Sequence, residues 1–189
     1  MRILTVALIG LASLSIEGCA ESNHCFRDSL HSLGELLADP ALPVASPAVR
    51  WAIASGACEE GIPTLLLAAL ALHESSFDPR ARGPKGGRGL LQVRPSTAKQ
   101  TAARLGVEWR GEASLSEPFV NAKLGAAYLR TLHEEFGNWE AAMAAYNMGP
   151  TRLRRHIDRG RAASSSYARE VVARWKRWKA KHESHGASS

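Results

Sequence analysis

Glu74 is the residue of this sequence best placed to do acid–base chemistry, because LALHESSFDP brings a carboxylate to the end of a long apolar run. Residues 65–72 are Leu or Ala throughout, apolar nearly all round, which predicts a central, buried helix. Pro63 suits its first position, and Asp78-Pro79 must end it, since a residue before proline is pushed out of the α region. Glu74 then falls in the last turn, beside the negative end of the helix dipole and next to apolar packing. Both effects favour the protonated acid. Such a carboxyl can donate a proton near neutral pH; the competing reading is a solvated glutamate at a helix end. Metal chemistry finds less support. His73-Glu74 lacks the second histidine of a zinc-binding helix, neither Cys25 nor Cys58 has metal-like spacing, and His182-Glu183-Ser184-His185 reads as a solvated polar tail. No metal or cofactor is expected.

Three blocks extend this reading. Glu74-Ser75-Ser76-Phe77-Asp78-Pro79, then Gly89-Leu90-Leu91-Gln92, then Ala145-Tyr146-Asn147-Met148-Gly149-Pro150 resemble, in this order, the three-part signature of soluble lytic transglycosylases of the goose-lysozyme-like group. The resemblance covers residues 46–178. It implies a mostly α, lysozyme-like helical domain, with a small loop or hairpin region beside an active-site cleft that acts on the glycan strands of peptidoglycan. By the same resemblance Glu74 is the catalytic acid/base, Gln92, Tyr146 and Asn147 line the cleft, and Ser75, Leu91 and Tyr167 complete the substrate-binding set. Leu91 stands where the family usually has Met, an exchange that conserves volume and should leave a sugar-facing surface apolar. Gln92 offers a donor and an acceptor, which suits an acetamido group. Asn121 matches a family position with a structural role.

At 189 residues and 45% hydrophobic, the chain is long enough for one well-buried core. Lys plus Arg exceed Asp plus Glu by 24 to 18, with the excess late in the chain, so an anionic partner such as a cell-wall polymer fits. No basic–aromatic recognition motif points to nucleic acid. Residues 1–20 read as an export signal: Arg2, an apolar run from Ile3 to Ile16 that is short for a membrane span, and a small-residue exit at Gly18-Cys19-Ala20. Cleavage after Ala20 removes Arg2 together with Glu17 and leaves the net charge at +6. The rival reading acylates Cys19 as a lipoprotein anchor in the outer membrane, a pattern that Glu17 fits poorly. A soluble, exported, periplasmic or envelope protein is the expectation, as a monomer. In such a compartment Cys25 and Cys58 are expected to pair, stabilising on the order of 3 kcal/mol; two free thiols are the alternative.

The elements that must position these residues can be read from periodicity. Residues 21–45 form an N-terminal extension, with a short amphipathic helix through Leu30, Leu33, Leu36 and Leu37 and then a connector. Residues 46–181 make up the catalytic domain. Ser46-Pro47 opens a helix with Val49, Ile53 and Ala57 on its apolar face. Residues 80–88, rich in glycine, form a loop or small hairpin along one wall of the cleft, where Arg88 is read as solvated. A short helix closes at Gly106. Ser116 caps a longer one, with Phe119, Leu124, Tyr128, Leu132 and Phe136 as core residues and Gly137 as its stop. Asn138 caps the helix whose small residues let Tyr146 and Asn147 approach Glu74. A short helix carries Leu153 and Ile157, and a last one places Tyr167, Val171, Trp175 and Trp178 on its buried face. Residues 182–189 are expected to be a disordered polar tail.

Two-carboxylate glycosidases need a second Asp or Glu across the sugar ring, and none is obvious here; Asp78 reads as a turn residue. The resemblance implies a one-acid route to a 1,6-anhydro product. The alternatives are a hydrolytic muramidase on the same fold and a non-catalytic, peptidoglycan-binding scaffold of a secretion apparatus.

Overall fold

The computed structural model describes the backbone of residues 13–186 and the side chains of residues 24–184. Eight α-helices account for most of it: α1 (Ser13–Leu37), α2 (Pro47–Glu59), α3 (Thr64–Ser75), α4 (Pro95–Leu105), α5 (Pro118–Phe136), α6 (Trp139–Met148), α7 (Pro150–Asp158) and α8 (Ser166–Gly186). A short 3-10 turn, Glu112–Ser116, precedes α5. Among the described residues there is no strand beyond two isolated antiparallel bridges, Arg82 to Arg88 and Arg88 to Val93, which make the glycine-rich segment a miniature hairpin. No described helix is long and apolar enough to cross a membrane.

Helix α3 is the axis of the molecule. Its residues Leu65 to Ala71 are all buried, as a run without a polar face requires, and α1, α2 and α8 pack around it. It stops one turn before the proline expected to end it. Ser76 and Phe77 both adopt positive φ (52° and 67°), and Ser76 N–H caps Leu72 O at 3.0 Å. Burial of Phe77 at 3% exposure offsets that backbone strain. Asp78 is the turn residue it resembles, its Oδ1 accepting from Arg80 N–H at 2.8 Å.

Capping residues behave as their chemistry dictates. Ser46 Oγ accepts from Val49 N–H, and Asn138 Oδ1 accepts from Ala141 N–H at 2.9 Å. Ser116 does not cap α5; it lies in the 3-10 turn, and Glu117 takes the cap position without a side-chain bond. Phe119 is 48% exposed rather than core, because α5 begins only one residue earlier and its first turn projects beyond the packed layer. Ile157 is likewise exposed.

Cys25 and Cys58 are disulfide-bonded, 5.8 Å apart at Cα, and the bridge ties α1 to the end of α2. Beside it, Phe26 meets Trp51 edge-on at 6.1 Å, and Ser29 hydrogen-bonds Thr64 at 2.7 Å. The described part of the N-terminal extension is therefore packed against the helical core. Residues 182–186, expected to belong to a disordered tail, instead continue α8 to Gly186, and His182 sits 2.5 Å from Glu35 and 3.3 Å from Ser32 of α1. The partner that orders it is distant in sequence. The export-signal reading and the acylation of Cys19 rest on side chains that lie outside the described residues.

Candidate active site

The glycine-rich hairpin is held against the helices by one buried amide. Asn121 on α5 is fully buried; its Oδ1 accepts from Leu91 N–H, and its Nδ2 donates to Arg88 O and to Leu115 O, each at 2.8 Å. All three partners are backbone groups of turns, where a side-chain amide supplies hydrogen bonds that no helix or sheet ladder provides. Gly89 lies in the crook of this contact with φ 69°, and a Cβ there would stand 2.0 Å from Leu115 O and 2.4 Å from Asn121 Nδ2. Only glycine fits. Ser75 locks the other side, its hydroxyl 2.8 Å from Leu90 O and 3.1 Å from Ala71 O.

Between this hairpin and the helices opens a cleft of 540 Å³. Glu74 enters it from the last turn of α3, Tyr146 and Asn147 from the end of α6, Tyr167 from the first turn of α8 and Tyr128 from α5. Gly83, Lys85, Gly87 and Gln92 form the hairpin wall, with Arg94, Thr97 and Gln100 at the start of α4 opposite. Burial pushes the Glu74 carboxyl above the ordinary carboxylate range, partly opposed by the Tyr167 hydrogen bond and the Lys85 charge. Glu74 is the only carboxyl that lines this cleft among the described residues.

Four contacts made by aromatic side chains hold the acid and its surroundings. Tyr167 O–H donates to Glu74 Oε1. Tyr146 O–H donates to Leu91 O at 2.8 Å, joining α6 to the hairpin, and its ring lies 5.4 Å from that of Tyr128. His73 meets the Tyr167 ring edge-on at 4.7 Å. Burial raises both tyrosine phenols, Tyr146 strongly, and the nearby Glu74 charge raises them further, so both remain proton donors. Burial, then the Arg174 charge, lowers His73 and favours its neutral ring.

Of the residues expected at the site, Glu74, Gln92, Tyr146, Asn147 and Tyr167 line the cleft together. Ser75 and Leu91 do not. The Ser75 hydroxyl is spent on backbone carbonyls, and Leu91 is fully buried against α5, where a Cβ on Gly125 would stand 2.5 Å from Leu91 Cδ1. Leu91 serves the site through its carbonyl, which holds Tyr146. Gln92 faces the cleft, but its amide donates to Ala81 O (3.1 Å) and Gly89 O (2.8 Å), so both N–H groups are committed to the hairpin. Asn147 carries the amide that has no side-chain partner among the described residues. Arg88 is half-buried, donating to Gly87 O at 3.2 Å, and does not line the cleft.

His73, Lys85 and Tyr128 were missed by sequence reasoning. His73 was weighed only as a metal ligand, Lys85 belongs to an aperiodic loop, and Tyr128 carries the helical spacing of a core residue. A polar aromatic in an otherwise aliphatic stripe was the one available signal at Tyr128.

The chain is 40% identical over 88 residues to the soluble lytic murein transglycosylase of Salmonella typhimurium, covering 46% of this chain and 14% of that one. Over 100 residues it is 39% identical to the endo-type membrane-bound lytic murein transglycosylase A of Klebsiella pneumoniae, covering 50% and 48%. The fold is similar to that of an inactive glutamate-to-glutamine mutant of the lytic transglycosylase Slt from Pseudomonas aeruginosa, with TM-score 0.66 and 27% identity, covering 87% of this chain and 30% of that one. It is also similar to the 70 kDa soluble lytic transglycosylase of Escherichia coli, with TM-score 0.59 over 86% and 30% of the two chains; 21% identity there speaks for the fold alone. This chain thus spans a small part of the longest relatives. Residues 52–168, which include every residue lining the cleft, match the transglycosylase SLT domain model, and the chain belongs to that family.

Proposed function

We propose that this chain is a peptidoglycan lytic transglycosylase that uses Glu74 as its single acid and base. The observation that carries the reading is a solitary carboxyl, biased towards its neutral form and held by Tyr167, in a cleft lined by no other carboxyl among the described residues. Glu74 gives its proton to the glycosidic oxygen between N-acetylmuramic acid and N-acetylglucosamine, and that bond breaks. The 2-acetamido group of the muramic acid supports the cation that develops, with the uncommitted amide of Asn147 placed to orient it. The carboxylate, now a base, takes the proton of the muramoyl 6-hydroxyl as its oxygen bonds to C1. A 1,6-anhydro end forms, and Glu74 is again protonated.

Tethering decides against water here. A hydroxyl on the same sugar has an effective molarity far above that of a water held by nothing, and among the described residues no second carboxyl lines the cleft to hold one. Asp78 is exposed and occupied with Arg80 N–H. The relatives named as murein transglycosylases support the substrate class. A substrate in the wall places the working protein in the cell envelope.

Digestion of purified sacculi tests the reading. Released muropeptides should carry 1,6-anhydro ends and no reducing muramic acid, and strands with de-N-acetylated muramic acid should be poor substrates. Reducing ends would establish hydrolysis instead, and no release at all would leave a binding scaffold. Glu74→Gln should lower turnover by roughly 10²-fold or more while sacculus binding persists; residual activity above about one per cent would deny that Glu74 is the sole acid.

A further inference from the structure

A second concave surface, of 540 Å³, opens directly out of the catalytic cleft, with Gly149 and Pro150 lining both. Its charge is one-sided. Arg152 and Arg155 project from α7, Arg159 is its C-cap residue four positions on, Arg161 follows, and no Asp or Glu among the described residues lines the surface. None of the four guanidiniums makes a side-chain hydrogen bond or ion pair with a described residue. Their neighbour Arg154, on another side of the same helix, is paired with Glu135 at 2.6 Å. Four unpaired positive charges in one concavity repel each other, which costs stability unless an anion is taken there. A guanidinium fork matches a carboxylate in particular.

We infer that this arginine surface takes the carboxylates of the stem peptide borne by the glycan strand in the adjoining cleft. The inference rests on the transglycosylase reading, since the lactyl group of a muramic acid bound near Glu74 is what would lead a peptide past Gly149 and Pro150. The guanidiniums are exposed, so each contributes little alone. Together they bias turnover towards peptide-bearing strands and away from stripped ones, without touching the reacting atoms.

The test compares wild type with the triple variant Arg152→Gln, Arg155→Gln, Arg159→Gln on two substrates: peptide-bearing glycan strands, and the same strands freed of peptide by an amidase. Wild type should prefer the peptide-bearing strands in kcat/KM by about tenfold, and the variant should bring that ratio close to one while cleaving stripped strands within about twofold of wild type. Equal losses on both substrates, or an unchanged ratio, would overturn the assignment. Calorimetric titration with a free stem pentapeptide, and with the same peptide amidated at its carboxylates, reads the site without cleavage. Binding by wild type that is lost on amidation and in the variant supports the site even if no strand is cut, in which case the transglycosylase reading alone fails. Cleavage with no peptide binding overturns the site alone. Binding of phosphatidylglycerol vesicles by the arginines in place of the peptide would also overturn it, assigning the surface to a membrane.

Discussion

Glu74 owes its chemistry to two opposed surroundings. Burial holds its proton on, while the Tyr167 hydroxyl, donating to Oε1, stabilises the charged form and pulls the other way. The balance suits a group that must first be an acid and then a base. It also makes a prediction with a definite sign. The proposed one-acid route starts from the protonated acid, so on that route kcat/KM should fall as pH rises through the Glu74 pKa, at a pH above the ordinary carboxylate range. Tyr167→Phe removes the contact that favours the carboxylate, raises that pKa further, and should move the alkaline limb of the profile to higher pH, with turnover reduced by about tenfold. A limb that stays in place, or moves to lower pH, would show that Tyr167 does not set the proton affinity of Glu74.

At the scale of elements, the site depends on how a glycine-rich hairpin is clamped to helices that are remote in sequence. Asn121 makes two hydrogen bonds to it and a third to Leu115 O of the neighbouring 3-10 turn, Ser75 holds Leu90 O, and Tyr146 holds Leu91 O. The clamp leaves no room at Gly89. Gly89→Ala combines a left-handed backbone with a Cβ driven into Leu115 O and Asn121, both of them fixed in place. We expect a loss of about 3 kcal/mol or more in urea unfolding, with cleavage reduced as the hairpin wall shifts. A loss below about 1 kcal/mol would mean that the hairpin can move away from α5 at small cost, and that the clamp does not set the cleft.

At the scale of the whole molecule, the first and last described helices are in contact. Helix α1 lies against α2, α3 and α8, joined by the Cys25–Cys58 bridge and by His182 against Glu35. The bridge spans a separation of 33 residues, and such a loop closure restricts the unfolded chain by about 3 kcal/mol. Cys25→Ser with Cys58→Ser should therefore lower Tm by roughly 10 °C. Peptide mapping without reduction should recover the two cysteines of the native protein as one linked pair. An unchanged Tm would show that Leu33, Phe26 and Ser29 hold α1 without help from the bridge.

Local chemistry in the sequence determined where most of the helices lie, the caps at Ser46 and Asn138 and where the acid falls, though not the start of α5, where Glu117 and not Ser116 takes the cap position. A helix of leucines and alanines has to be central, Asn138 and Ser46 have to cap, and a carboxylate after such a run has to sit beside the dipole's negative end, because each is settled by neighbours within a turn or two. The motif blocks carried Tyr146 and Asn147 to the cleft by resemblance, a separate match to the family did the same for Tyr167, and the geometry brings all three there. The tertiary structure decided what each side chain touches. Leu91 and Ser75 occupy motif positions yet face inward, Gln92 spends its donors on the hairpin, and Tyr128, with the spacing of a core residue, opens onto the cleft. His182 belongs to an ordered helix because Glu35, 147 residues away, is beside it. Periodicity assigns a residue to a face of its own helix; which face meets the cleft depends on how helices distant in sequence cross, and only their packing specifies that.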